Sequence, residues 1–230
     1  MIIGYGGNMS GGKTVSMVKF AYEEGLKGKK IISNIHLKFP DSIQVEYMKS
    51  SVLIEFIKAY YEDSEMLKQK FYNSVVIADE LVNVISSRKA SSNLNEMITN
   101  FIMMISKLQC HMVYSFQMET QIDIRLRNVT NKVVTCFRFG KDKGKWIMID
   151  PESRTVKDEI VIVQISLNDY GLLGRKLKAD YFNPKEYFSM YDTFEMTLLD
   201  KTEYLKGGRK DLGKKADKLS IDKSIFSFDE

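Results

Sequence analysis

With 230 residues, 44% hydrophobic and 28% charged, the chain can bury one substantial core and is too apolar to be disordered; its net charge of +4 does not by itself imply nucleic acid. Its two cysteines, Cys110 and Cys136, do not suggest a disulfide scaffold; they sit in apolar runs, which suits buried thiols in a reducing compartment. The absence of an uncharged apolar run of about 18 residues predicts no membrane span, and a motif starting at Gly7 leaves no room for a conventional signal peptide.

Residues 1–6 form a short apolar run that reads as a buried strand. Then come Gly7, Asn8, Met9, Ser10, Gly11, Gly12, Lys13 and Thr14, which fit G-x-x-x-x-G-K-[ST]. Glycines let successive backbone N–H groups turn toward one anion, and the following helix adds its dipole and unpaired donors. Lys13 is placed to reach the β- and γ-phosphates of ATP, and the Thr14 hydroxyl to ligate Mg²⁺. Val15, Val18 and Tyr22 recur at helical spacing, and Gly25 or Gly28 supplies a stop. Residues 30–35 predict a second strand and residues 43–47 a short edge strand, while 52–61 predict a helix running on toward Phe71.

Residues 73–78 are an apolar strand that ends in Asp79 and Glu80. A continuous apolar strand is buried on both faces, as in a parallel sheet covered by helices, and acids at its carboxyl end lie where such sheets bind ligands. Asp79 takes the Walker B role of holding Mg²⁺, and Glu80 that of a general base on the attacking water. A polar, basic loop around Arg88 precedes a helix marked by Leu94, Met97, Ile98, Phe101, Ile102, Ile105 and Leu108. Residues 111–117 predict a fourth main strand with Gln117 at its carboxyl end, suited to orient water or sense the γ-phosphate. Arg125 and Arg127 follow, either of them able to neutralise charge on a transferred phosphoryl group from a neighbouring subunit. Residues 132–139 predict a fifth strand, 146–149 its hairpin return after a turn at Gly144, and 160–165 one more. A turn and short helix follow at 183–190. The expected division is an ATPase domain over 1–199 and a polar, flexible tail over 200–230.

These pieces resemble the FtsK–HerA superfamily of P-loop ATPases, most of all viral DNA-packaging ATPases and the related zonula occludens toxin-like ATPases of filamentous phages. The marks are the phosphate loop, Ser33-Asn34-Ile35, Asp79-Glu80, Gln117 and Asp123-x-Arg125-x-Arg127. The resemblance implies an α/β P-loop NTPase fold of the ASCE, RecA-like kind. That is a three-layer sandwich with a mostly parallel sheet of order 5-1-4-3-2, here followed by antiparallel strands. It also implies Mg²⁺-dependent ATP hydrolysis in a homo-oligomeric ring, commonly a hexamer, with an arginine completing the neighbour's site; Arg88 is a third candidate beside Arg125 and Arg127. A helicase-type accessory domain and the transmembrane segment of the filamentous-phage branch are missing, which favours the packaging type. The expected function is therefore non-specific translocation of double-stranded DNA into a viral capsid, with a capsid vertex protein as a further partner. Location is expected in the host cytoplasm or with the virion. The alternative is a secretion, filament-extrusion or conjugation ATPase that uses the same site on another polymer. A GTPase switch fits poorly, because Asn131-Lys132 is not followed by the guanine-reading aspartate. A non-catalytic nucleotide module fits poorly because Glu80 is present.

Overall fold

Alternate residues of the inner strands face opposite sides of one sheet, and both sides are apolar. The computed structural model describes residues 1–50, 52–53, 63–80, 101–102, 104–105, 107–122, 124–149, 159–169 and 175–192. The strands are β1 (Ile2–Gly6), β2 (Lys30–Ser33), β3 (Val45–Tyr47), β4 (Ser74–Ala78), β5 (His111–Ser115), β6 (Lys132–Asp142), β7 (Lys145–Met148), β8 (Ile160–Asp169) and β9 (Arg175–Phe182). The helices are α1 (Lys13–Leu26), α2 (Ser64–Phe71) and α3 (Ile124–Val129). Sheet order is β3-β2-β4-β5-β1-β6-β8-β9, with β7 paired to β6. Pairing is parallel from β3 through to β6 and antiparallel among β6, β7, β8 and β9.

The five main strands thus lie in the order 5-1-4-3-2 expected from the resemblance, with β3 as the anticipated edge strand and an antiparallel extension beyond β6. Ile3, Ile31, Val75, Ile77 and Val113 pack on one side against Val15, Val18 and Ala21 of α1. Their neighbours Ile2, Ile32, Val76, Met112 and Tyr114 pack on the other side with Leu67 and Phe71 of α2 and with Phe101, Ile102 and Ile105. Each such side chain contributes roughly 1.5–3 kcal/mol when fully buried, and only a sheet covered on both faces lets both sets contribute. Helix α1 stops at the expected glycines: the Gly28 N–H donates to the Gly25 carbonyl at 2.9 Å.

The sequence reading and the structure differ most in three places. The helix expected over 52–61 lies mostly outside the described residues, and the stretch toward Phe71 is a separate start rather than its continuation. Asp63 accepts from the N–H groups of Glu65 and Met66, which caps a new helix, α2, at Ser64. Strand β6 extends three residues past 139 because β7 and β8 both pair with it. Strand β9 was not anticipated at all. Its apolar residues Leu177, Ala179 and Tyr181 alternate with Lys178 and Asp180 and are exposed. The first part of the helix from Leu94, the basic loop with Arg88, Asp123 and the expected tail at 200–230 lie outside the described residues. Among the described residues no helix is long and apolar enough to cross a membrane.

Candidate nucleotide-binding site

The carboxyl ends of β1, β2, β4 and β5 meet on one rim of the sheet, and the chain leaves β1 directly into the glycine loop. Gly7 has φ of 134°, and a Cβ there would lie 2.6 Å from the Cys136 carbonyl oxygen of β6. Only glycine combines that backbone with so close a floor. A Cβ on Gly12 would meet the Cδ1 of Ile162 at 2.5 Å, so β8 supports the loop as well. Strands β6 and β8 are therefore the bed on which the phosphate loop rests. Gly11 N–H donates to the Asn8 carbonyl at 3.1 Å, which closes the loop, while Met9 projects outward, 66% exposed.

Helix α1 begins at Lys13 with no side-chain cap and no acid in its first turn. A helix end built this way offers its N–H groups and positive dipole end to an anion. The Lys13 ammonium donates to the carbonyls of Gly7 at 2.9 Å and Asn8 at 2.8 Å, so the side chain folds back across its own loop. Burial lowers its pKa, against the opposing pull of the negative charges of Asp79 and Glu80.

Thr14 brings the two motifs together. Its hydroxyl donates to Asp79 Oδ2 at 2.9 Å. Asp79 sits just past β4, and its other oxygen, Oδ1, accepts from the Ser115 hydroxyl and from the Glu80 N–H at 3.1 Å. Asn34 grips the same residue through the backbone. Its side-chain carbonyl accepts from Asp79 N–H at 2.8 Å, and its amide donates to the Asp79 carbonyl at 2.8 Å. The Asn34 amide also reaches the Ser50 hydroxyl at 3.1 Å. The sequence marked Asn34 as a shared residue without a role, and it missed Ser115 altogether. Ser115 could have been found only by aligning β4 with β5, since Ala78 pairs with Tyr114.

Glu80 is exposed and takes φ of 53°, a left-handed conformation uncommon for a residue with a side chain. Gln117 is exposed two residues beyond the end of β5, which stops at Ser115 rather than at 117. Arg125 and Arg127 lie on α3, both partly buried. The Nε of Arg127 is buried with no hydrogen-bond partner among the described residues. Arg127 bears electrostatically on Tyr114, whose pKa burial pushes up to about 12 against that positive charge and the hydrogen bond its hydroxyl shares with Thr130. At the hairpin tip, Lys141 pairs with Glu159 at 3.2 Å and lies 6.0 Å over the Trp146 ring, while Lys143 and Lys145 are exposed.

The donor set suits Mg²⁺. A hydroxyl and a carboxylate oxygen, both hard, converge at the start of a helix, and no group of three or more His, Cys, Asp or Glu able to hold a metal occurs among the described residues. Magnesium is commonly held in this way, through one or two protein oxygens plus substrate phosphates rather than in an all-protein cage.

The profile of the family described as Zonular occludens toxin (Zot) matches residues 1–192. The chain belongs to this family. It has a P-loop NTPase fold, a mostly parallel sheet with the phosphate loop after its first strand. The N-terminal domain of zonular occludens toxin from Neisseria meningitidis superposes with a TM-score of 0.53 at 15% identity, over 83% of this chain and 98% of that one. The DNA-packaging ATPase B204 from Sulfolobus turreted icosahedral virus gives a TM-score of 0.48 at 12% identity, over 77% of this chain and 95% of that one. No curated protein matches the chain.

Proposed function

We propose that this Zot-family protein is a Mg²⁺-dependent ATPase whose turnover moves a viral genome or particle. The observation that carries this is the meeting of Thr14 with Asp79, next to Lys13 and Glu80. The loop from Gly7 to Thr14 binds the triphosphate, and Lys13 exchanges its two carbonyl acceptors for phosphate oxygens. Thr14 and Asp79 hold Mg²⁺, which when bound neutralises charge on the β- and γ-phosphates. Glu80 takes the proton of the attacking water, and Gln117 orients that water or reads the γ-phosphate.

Arg125 or Arg127 completes the site of an adjacent subunit in a ring. Two helix positions two apart point about 200° apart, so one of the pair faces a given neighbour and the other does not. The unpartnered Nε of Arg127 supports a role for that guanidinium toward an anionic group. Mixing either arginine-to-alanine variant with Glu80→Gln subunits tests this. Partial recovery of hydrolysis in one mixture is expected, and none in either mixture removes the ring.

Two cargoes remain in play. The resemblance to packaging ATPases supports double-stranded DNA, gripped without sequence preference by the exposed Lys143 and Lys145. Family membership over residues 1–192 supports the second reading, extrusion of a filament, in which the driven polymer is a protein–DNA particle. The polymer that stimulates hydrolysis decides. Duplex DNA raising the rate supports packaging; no response to duplex, together with a response to single-stranded DNA or a coat protein, supports extrusion. An absence of ATP hydrolysis under every condition removes the motor altogether.

A further inference from the structure

We propose that Ser115 is a positioning residue that sets the general base, Glu80, for attack; this rests on the ATPase reading above. Ser115 ends β5 and is 2% exposed. Its hydroxyl donates its one hydrogen to Asp79 Oδ1 and accepts the Glu80 N–H at 2.8 Å. A serine hydroxyl has one donor and two acceptor sites, so this side chain serves both acids at once.

The Glu80 backbone has a reason to need that support. Its φ of 53° is a conformation that a residue with a Cβ adopts at a cost, and such a residue stays there only when its surroundings fix it. The N–H of Glu80 is held by Ser115 Oγ at 2.8 Å and by Asp79 Oδ1 at 3.1 Å, and Ser115 in turn fixes the carboxylate that supplies the second acceptor. Removing one hydroxyl therefore loosens both anchors of the Glu80 peptide. Asp79 keeps its separate supports, Thr14 on Oδ2 and Asn34 on its backbone. Loss of the Ser115 hydroxyl thus bears more on where Glu80 points than on whether the site can hold nucleotide and metal. Because β5 also leads to Gln117, the hydroxyl ties the base and the candidate γ-phosphate sensor to one strand end.

The test is Ser115→Ala in the full chain, with ATP turnover and the affinity for a fluorescent non-hydrolysable ATP analogue measured side by side. The expected result is a fall in kcat of about 10- to 100-fold, the scale of a misplaced catalytic group, with KM and analogue affinity within roughly twofold of the parent. In a Glu80→Gln background the same substitution is expected to add no further loss to the residual single-turnover rate, because its effect runs through Glu80. The proposal is overturned by an unchanged kcat, by a loss of affinity that matches the loss of turnover, or by a full multiplicative loss in the double variant. A parent that hydrolyses ATP alongside an unimpaired Ser115→Ala removes only the positioning role. A parent without hydrolysis removes the ATPase reading and this one with it.

Discussion

The hydroxyl of Thr14 donates to Oδ2 of Asp79 at 2.9 Å across 65 positions of sequence. That contact joins the first turn of α1 to the end of β4, two elements that meet only because β1 and β4 flank β5 in the sheet. It places both oxygens suited to magnesium beside the loop suited to phosphate.

The Asn34 clamp leads to the first prediction. Asn34→Ala leaves the part-buried N–H and carbonyl of Asp79 without their amide partner, a loss of about 0.5–1.5 kcal/mol for each hydrogen bond. Urea denaturation should show that order of destabilisation, together with weaker binding of Mg²⁺–nucleotide. Asn34→Asp is not expected to rescue. A carboxylate still accepts from the Asp79 N–H but sets a second oxygen against the Asp79 carbonyl. A stable, tightly binding Asn34→Asp would show that the amide is not the clamp.

A pair of glycines gives the second. Gly28→Ala meets no atom within 4 Å, so only its φ of 87° counts, at about 1–2 kcal/mol. Gly7→Ala carries φ of 134° and also drives a methyl to 2.6 Å from the Cys136 carbonyl. The Gly7 variant should lose more stability than the Gly28 variant and should lose nucleotide binding, which Gly28→Ala keeps. Equal effects in thermal melts and analogue titrations would mean that β6 does not buttress the loop.

These contacts show what was legible in the chain. The phosphate loop and Asp79-Glu80 are local patterns, each readable because a few adjacent residues carry the whole chemistry. Asn34 was visible as a mark and Ser115 was not, because their roles exist only once β2 and β5 lie on either side of β4. No window of sequence contains that pairing. Strand β9 was overlooked for a different reason. It is an exposed strand in which Lys178 and Asp180 break the apolar run, a device that protects sheet edges from aggregation and makes them look like loops. The separate start of α2 rests on one capping side chain, Asp63, within a polar stretch that apolar periodicity alone reads straight through.

The third prediction concerns pH and lies at the other end of the sheet. The imidazole Nδ1 of His111 stands 3.3 Å from the Glu24 carboxylate and its ring 6.0 Å from that of Phe20. Burial lowers the His111 pKa below 6.5, helped by the N-terminal ammonium, Lys29 and Lys27 and opposed by Glu24. As pH falls, the unfolded chain takes up its histidine proton before the folded one does. The contribution of His111 to stability is therefore present above about pH 6.5 and is lost as pH falls through the folded pKa. Between about pH 7.5 and about pH 5.5 the parent's Tm should fall more than that of His111→Gln. A steeper fall in the variant would reverse the assigned direction.

The most direct check on the central claim is ATP turnover by Glu80→Gln, measured with its affinity for ATP. The claim is that Lys13, Thr14, Asp79 and Glu80 surround one Mg²⁺–ATP and hydrolyse it. Turnover is expected to fall by on the order of 10²- to 10⁴-fold, the usual weight of a general base, with ATP still bound about as tightly as by the parent. Turnover by Glu80→Gln at the parent's rate would contradict the claim.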